Sequence, residues 1–320
     1  MSGTTTATRP PEPGFSTITA EELRAYRDAE NRWRASGTAR AMLGEPDPGA
    51  EIAWRQLALP GRDLPVRVYR PVSTGDGEAD ARTGMPLVVH VHGGGFVGTA
   101  AQCDWTNSHL AAGLPALVVS VEHRLLAPGS TLSNAADDGW EVLEHMVRHA
   151  AQWGVDPARA AVFGESCGAL ISALTAVRAR EAGLALKAQV LVNPVVDVTE
   201  TMFDHPSIAE YAYSPTRALP QLELIQRLAV PPGSDAAAVS PLYTEDLSGL
   251  APALVVLPTK DAVADHGRRY AERLRAAGTP VRLSEYPGAR HAFLTLPGVE
   301  PQADAARAEI LQFLRAALAK

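Results

Sequence analysis

Cysteine is scarce: 320 residues hold two, Cys103 and Cys167. Two thiols make no disulfide framework, so a reducing, cytoplasmic setting is the expectation. Long apolar runs are missing too. Nothing approaches 18 consecutive apolar residues, and no membrane span is expected. Met1 to Gly14 is rich in Thr and Pro and lacks an apolar stretch, so it reads as a disordered start, not a signal peptide. No Lys/Arg-rich run appears, and the net charge is -7. That balance argues against nucleic acid and anionic membranes as partners. What is present suits a large core: 46% of residues are hydrophobic and 20% charged. The length fits one α/β domain with an appendage.

The chain is organised around Val162-Phe163-Gly164-Glu165-Ser166-Cys167-Gly168-Ala169-Leu170. An apolar run, 160–163, ends in Gly-x-Ser-x-Gly, and a helix-like run, 169–181, follows. Strand, sharp turn and helix are the context of a nucleophile elbow. The glycines flanking Ser166 remove side chains that would collide in so tight a turn. The helix N-terminus then faces the oxygen on which negative charge develops.

Around this centre the chain alternates. Residues 15–49 read as a small helical appendage. Strands are expected at 52–57 and 66–69, joined as a hairpin by Pro60-Gly61-Arg62-Asp63. Residues 71–85 form a polar surface loop. Further strands are expected at 86–91, 116–121, 160–163, 189–193, 253–257 and 281–286, and helices at 138–152, 169–181, 262–277 and 302–319. Residues 197–238 lose periodicity and read as a second piece of appendage, leaving 50–196 and 239–320 as the core. Alternation of this kind predicts an α/β fold, a mostly parallel sheet with helices on both faces and an antiparallel hairpin at one edge. Ligands of such sheets bind beyond the carboxyl ends of the strands. His92, Ser166, Asp261 and His291 all fall there.

A serine nucleophile needs a base, and the base an orienting carboxylate. His291 lies in a loop after the last strand, where a base is required. His90 reads as a packed histidine and His266 as solvent-facing. His145 and His149 stand four apart on one helix, but nothing near them completes a metal site, so none is assigned. Asp261 follows strand 253–257 and completes the order Ser, Asp, His; Asp197 is the alternative acid, and Asp265 reads as a helix-start residue. His92-Gly93-Gly94-Gly95 is an oxyanion-loop pattern, with the Cys167 amide as a further donor and its thiol a packed side chain. Gly93-x-Gly95-x-x-Gly98, with Glu122 ending the next strand, also fits a dinucleotide-binding oxidoreductase. That rival leaves Ser166, Asp261 and His291 as coincidences.

These residues resemble the hormone-sensitive-lipase family of α/β-hydrolases. The resemblance spans roughly residues 50–318. It rests on His92-Gly93-Gly94-Gly95-Phe96, on Gly164-Glu165-Ser166-Cys167-Gly168, and on Ser240-Pro241-Leu242 through Asp246-Leu247-Ser248-Gly249-Leu250 to Asp261. Tyr286-Pro287-Gly288 before His291-Ala292-Phe293 completes it. It implies an α/β-hydrolase fold, hydrolysis of a small-molecule carboxylic ester without a cofactor, and a helical cap built from 15–49 and 197–238. The substrate pocket is then expected to take in Phe96, Phe203, Tyr211 and Tyr213, with Phe15 on the cap side. Three departures stand out: Cys167 and Ala169 where Ala and Gly are usual, Ala262 where Pro is usual, and His123-Arg124-Leu125-Leu126-Ala127-Pro128-Gly129 where Tyr-Arg-Leu-Ala-Pro-Glu is common. They motivate a second reading, a non-hydrolytic tailoring enzyme that carries out acyl transfer or an elimination on a specialised metabolite. Oligomeric state is left open, a homodimer included.

Overall fold

The structure is a computed structural model and describes residues 8–72, 84–215 and 217–319. Residues 1–7 of the expected disordered start, and 73–83 of the expected polar loop, lie outside the described residues. Residues 8–14 carry no helix or strand, yet they are tied down. Arg9 donates to Glu30 at 2.9 Å and its guanidinium lies 5.2 Å from the Trp33 ring centre. An ion pair to a buried carboxylate is what overrides the disorder that composition suggests.

The chain opens with α1 (Ala20–Arg34) and α2 (Gly37–Leu43). Thr19 caps α1: its hydroxyl accepts the Glu22 N–H and Glu22 Oε2 accepts the Thr19 N–H, a reciprocal box that satisfies two orphan donors. The hairpin β1 (Ala50–Leu59) and β2 (Arg62–Pro71) follows, turning at Pro60-Gly61. Then come β3 (Met85–Val91), α3 (Asp104–Gly113), β4 (Leu117–Val121), α4 (Leu132–Arg148) and the short α5 (Ala150–Trp153). β5 (Val155–Glu165) runs into α6 (Cys167–Glu181), and β6 (Ala188–Val192) follows. Residues 197–238 carry α7 (Pro206–Tyr211) and α8 (Ala218–Ala229). β7 (Ala253–Lys260), α9 (Ala264–Ala276), β8 (Val281–Arg290) and α10 (Ala303–Ala317) close the fold.

The eight strands form one sheet in the order β1-β2-β4-β3-β5-β6-β7-β8. The first three in that order pair antiparallel, and the rest pair parallel. Period-two alternation divides the core between the faces. Leu87, Val89 and Val91 join Leu143, Leu170 and Ile171 of α4 and α6 on one side. Val88, Phe163 and Val192 join Leu110, Ile310 and Leu314 of α3 and α10 on the other. Each such side chain, fully withdrawn from water, contributes about 1.5–3 kcal/mol.

The sequence reading places no helix at α3, and a second disagreement with periodicity is α4. It starts at Leu132, six residues before the expected 138, and stops at Arg148. Asp138 misleads because it looks like a start residue, yet it is buried and receives Arg62 Nη2 at 2.5 Å and the Arg124 N–H at 2.7 Å. β5 also runs two residues past 163, so Glu165 still belongs to the sheet, opposite Val192.

The two aperiodic segments meet. Phe15 and Leu23 pack with Leu224 of α8, and Arg227 Nη2 donates to Phe15 O at 2.9 Å. The same layer is fastened to the core where Asn31 Nδ2 donates to Val97 O at 3.1 Å. Among the described residues no helix is long and apolar enough to cross a membrane.

Candidate active site

Ser166 sits between β5 and α6 at φ 54°, ψ -119°. A non-glycine residue there stores about 1–3 kcal/mol of strain, which the surrounding packing must hold. The turn is as tight as the motif demands. A Cβ on Gly164 would lie 2.3 Å from Gly168 O, and one on Gly168 would lie 2.2 Å from Val91 O. No other residue fits either place.

β7 and β8 deliver the partners. Ser166 Oγ is 2.9 Å from His291 Nε2, and His291 Nδ1 is 2.8 Å from Asp261 Oδ2. A carboxylate only accepts, so the proton sits on Nδ1 and the Nε2 lone pair faces the serine hydroxyl. Asn193 Nδ2, at 3.4 Å, donates to the same lone pair. Asp261 is buried, and its Oδ1 accepts the Val263 N–H at 3.0 Å. Burial disfavours the imidazolium, but the charge and hydrogen bond of Asp261, with the charge of Glu165, outweigh it. The His291 pKa is raised above its ordinary value.

The glycine loop lies against the elbow: a Cβ on Gly93 would be 3.3 Å from Ser166 Cβ. Gly94 and Gly95 take φ of 96° and 59°, a left-handed path open to glycine. His92 holds the loop from below, its Nδ1–H donating to Gly93 O at 2.9 Å. His123 stacks on His92 at 4.2 Å, with its Nδ1 3.1 Å from Arg124 O and its Nε2 3.3 Å from His92 O. The unusual segment 123–129 therefore props the loop. The Cys167 thiol is buried beside this backbone; burial pushes its pKa up to about 11 despite nearby amides of Phe96 and Gly95. A thiol so far from ionising is no competing nucleophile.

Two lobes of about 130 and 220 Å³ meet at Ser166. Trp33, Met42, Leu43 and Leu296 wall the smaller; Phe15, Tyr26, Leu222 and Ile225 wall the larger, which also holds His291 and Asp261.

Several expectations need correction. Phe96, Phe203, Tyr211 and Tyr213 line neither lobe. Phe96, at φ 58°, turns into the core and meets His123 edge-on at 5.4 Å. Phe203 and Tyr211 pack on the core beneath 197–238, and Tyr213 is 64% exposed. His266 is not solvent-facing but buried, its Nε2–H donating to Met202 O; burial pulls its pKa down to about 4. Asp197 is spent on the Thr199 N–H and the Thr201 hydroxyl, away from His291. Glu122 accepts the Ala100 N–H at 2.7 Å, and Gln102 and Arg34 fill the space beside Gly98, which leaves the glycines no dinucleotide to receive. Asn193 and Thr295 went unnoticed in the sequence. Asn193 had a readable signal, since it ends a parallel strand at the ligand-binding rim.

A twisted sheet of this order with a strained serine at its centre defines an α/β-hydrolase. Residues 88–295 match the family model described as the alpha/beta hydrolase fold. A carboxylesterase of Mycobacterium tuberculosis, NlhH, is 36% identical over 281 residues, covering 85% of this chain and 84% of its own. An ethyl acetate hydrolase of Pseudomonas putida is 31% identical over 314 residues, 95% of each chain. Among solved structures, the ester hydrolase EH1AB1 from the metagenome of Lake Arreo, complexed with a bipyridine phosphonate derivative, superposes with a TM-score of 0.82. It shares 28% identity and covers 97% of this chain and 94% of its own. The chain belongs to the hormone-sensitive-lipase-like carboxylesterase family of α/β-hydrolases.

Proposed function

We propose that Ser166, His291 and Asp261 are the catalytic triad of a serine carboxylic ester hydrolase acting on small esters. The observation that carries this reading is the unbroken hydrogen-bond chain of 2.8 and 2.9 Å from a buried carboxylate to a strained serine. His291 Nε2 takes the Ser166 proton as Oγ attacks the ester carbonyl. Asp261 stays ionised, fixes the tautomer and stabilises the imidazolium. Amides of Gly93, Gly94, Gly95 and Cys167 form the oxyanion hole for the tetrahedral oxygen. His291 returns its proton to the leaving alcohol, and water repeats the sequence on the acyl-enzyme. Nucleophile, base and oxyanion donors all come from the chain, so no step calls for a metal or cofactor.

Residues 15–49 and 197–238 act as the cap over a core of 50–196 and 239–320. The lobes beneath it are small beside the about 300–1,000 Å³ of drug-sized pockets, which favours a short acyl group and a modest alcohol. A carboxylesterase and an ethyl acetate hydrolase among the relatives agree with that choice. Two free, buried cysteines fit a cytoplasmic setting.

The test is turnover of p-nitrophenyl acetate, butyrate and octanoate by wild type and Ser166→Ala. Acetate and butyrate are expected to outrun octanoate. The substitution should cost about 10⁴-fold or more in kcat. Wild-type turnover by Ser166→Ala would sink the reading.

A further inference from the structure

One charged cluster beside Ser166 has no part in that mechanism. Glu30, wholly buried on α1, accepts from two arginines: Arg9 Nη2 at 2.9 Å and Arg34 Nε at 3.2 Å. Arg34 Nη1 donates to Gln102 Oε1. Two guanidinium cations thus share one carboxylate, a net charge of about +1. Arg9 and Arg34 each line both lobes that meet at Ser166.

Other carboxylates stand around the same lobes. Glu165, which receives the Thr295 hydroxyl, lines the smaller lobe, and Asp261, which receives His291, lines the larger. Glu12 lines the larger lobe with Arg217 and lies close enough to favour the Arg9 charge. Trp33, Met42, Leu43 and Leu296 around the smaller lobe are apolar. Arg34 Nη2 donates to no described residue, and with 17% of its side chain exposed, Arg34 opens onto the cavity. Burial, with the neighbouring Arg9 charge, depresses the Arg34 pKa even with Glu30 beside it. A planar guanidinium with spare donors in an apolar cleft is suited to a carboxylate.

We propose that this esterase selects esters that carry a carboxylate, half-esters of short dicarboxylic acids being the simplest, with Arg34 and Arg9 holding the charged group. The proposal rests on the ester-hydrolase reading and adds the substrate's charge to it. The carboxylate belongs to either the acyl or the alcohol half of the ester, since both lobes reach the arginines.

Two isosteric pairs separate the cases. Ethyl hydrogen succinate against ethyl levulinate places the charge on the acyl side. 4-Acetoxybenzoate against 4-acetoxyacetophenone places it on the alcohol side. For wild type, kcat/KM of the anionic ester should exceed that of its neutral partner about tenfold in at least one pair, in keeping with charge-assisted hydrogen bonding. The pair that responds identifies the half. Added salt should shrink the ratio. Arg34→Gln should cut it about tenfold, and Glu30→Gln, which unmasks both arginines, should raise it. A merely structural cluster would move both variants the same way. The wild-type ratio needs no variant to fold. A neutral preference in both pairs, or a shift in one direction for both variants, overturns the proposal while leaving ester hydrolysis standing. Turnover of neither pair overturns both.

Discussion

His291 with Asp261 and His90 with Glu165 are two histidine–carboxylate pairs on either side of Ser166, and they differ in what is left free. His291 Nδ1 meets Asp261 at 2.8 Å while Nε2 keeps a lone pair 2.9 Å from the serine hydroxyl. His90 lies within β3, wholly buried. Its Nδ1 is shared by Ser120 Oγ at 2.8 Å and Asn107 Nδ2 at 3.0 Å, and its Nε2 points at Glu165 Oε1, 3.7 Å away. The amide of Asn107 can only donate through nitrogen, so the His90 proton is on Nε2, facing the carboxylate. Nδ1 is committed inside the core, and Nε2 is enclosed there facing Glu165 without a hydrogen bond among the described residues. Composition alone would rank the two pairs alike, although the His291 side chain is 25% exposed and that of His90 is fully buried. What separates them is placement: a strand encloses both ring nitrogens in the core, whereas the loop after β8 presents one of them at the rim.

The largest effect should come from the pair with the free nitrogen. His291→Ala is expected to lower kcat/KM for a neutral p-nitrophenyl ester by about 10⁴-fold or more, since the nucleophile loses its base. Asp261→Asn should follow at about 10³–10⁴-fold, because an amide no longer fixes the tautomer or stabilises the imidazolium. Either variant within tenfold of wild type would break the distinction. The pH profile sharpens it. With His291 as the proposed base the neutral imidazole is the active form, and Asp261 and Glu165 favour the charged one against burial. Activity should therefore rise with pH through a midpoint above the usual 6.5, and Asp261→Asn should move that midpoint down. The same raised pKa stabilises the fold at pH below the unfolded histidine's value, a contribution lost as pH climbs through the folded value.

Much of this was legible in the sequence because it depends on local chemistry. The elbow needs Gly164 and Gly168 by steric necessity, strand alternation follows from burial on two faces, and Ser166, Asp261 and His291 fall beyond strand ends as the parallel sheet requires. What escaped was long-range pairing. Nothing local marks Arg9 as the partner of Glu30, 21 positions away, or Thr295 as the partner of Glu165, 130 away. Phe96 misled for a related reason: its left-handed backbone turns an aromatic ring from the cavity into the core, and no periodicity records that. Asp138 shows the opposite failure, since a buried acid with two arginine partners mimics a helix start.

Glu165 bridges the two pairs. Thr295 Oγ1 donates to its Oε2 at 2.7 Å, so it joins the end of β5 to the loop that carries His291. Thr295→Val removes that tie but no reacting group. A fall of about 3–10-fold in kcat is expected, the scale of one lost hydrogen bond of about 0.5–1.5 kcal/mol. Glu165→Gln keeps an acceptor for Thr295 while removing the charge. Its distinguishing readout is a pH midpoint lowered by less than in Asp261→Asn, which a purely structural tie would not move.

The smallest effect on turnover should come from His90, and there the comparison meets its most direct test. His90→Leu strands the Asn107 amide and the Ser120 hydroxyl in the core. Leaving buried polar groups unpaired costs about 1–3 kcal/mol each, so thermal stability should drop visibly. The reacting groups are untouched: Ser166, His291 and Asp261 make none of their hydrogen bonds through His90. Turnover per folded molecule, titrated with a fluorophosphonate, should stay within about threefold of wild type even as the melting temperature falls. A loss of kcat on the scale of His291→Ala, in protein that is still folded, would mean that the buried pair takes part in the chemistry and that lone-pair availability is not what distinguishes the two histidines.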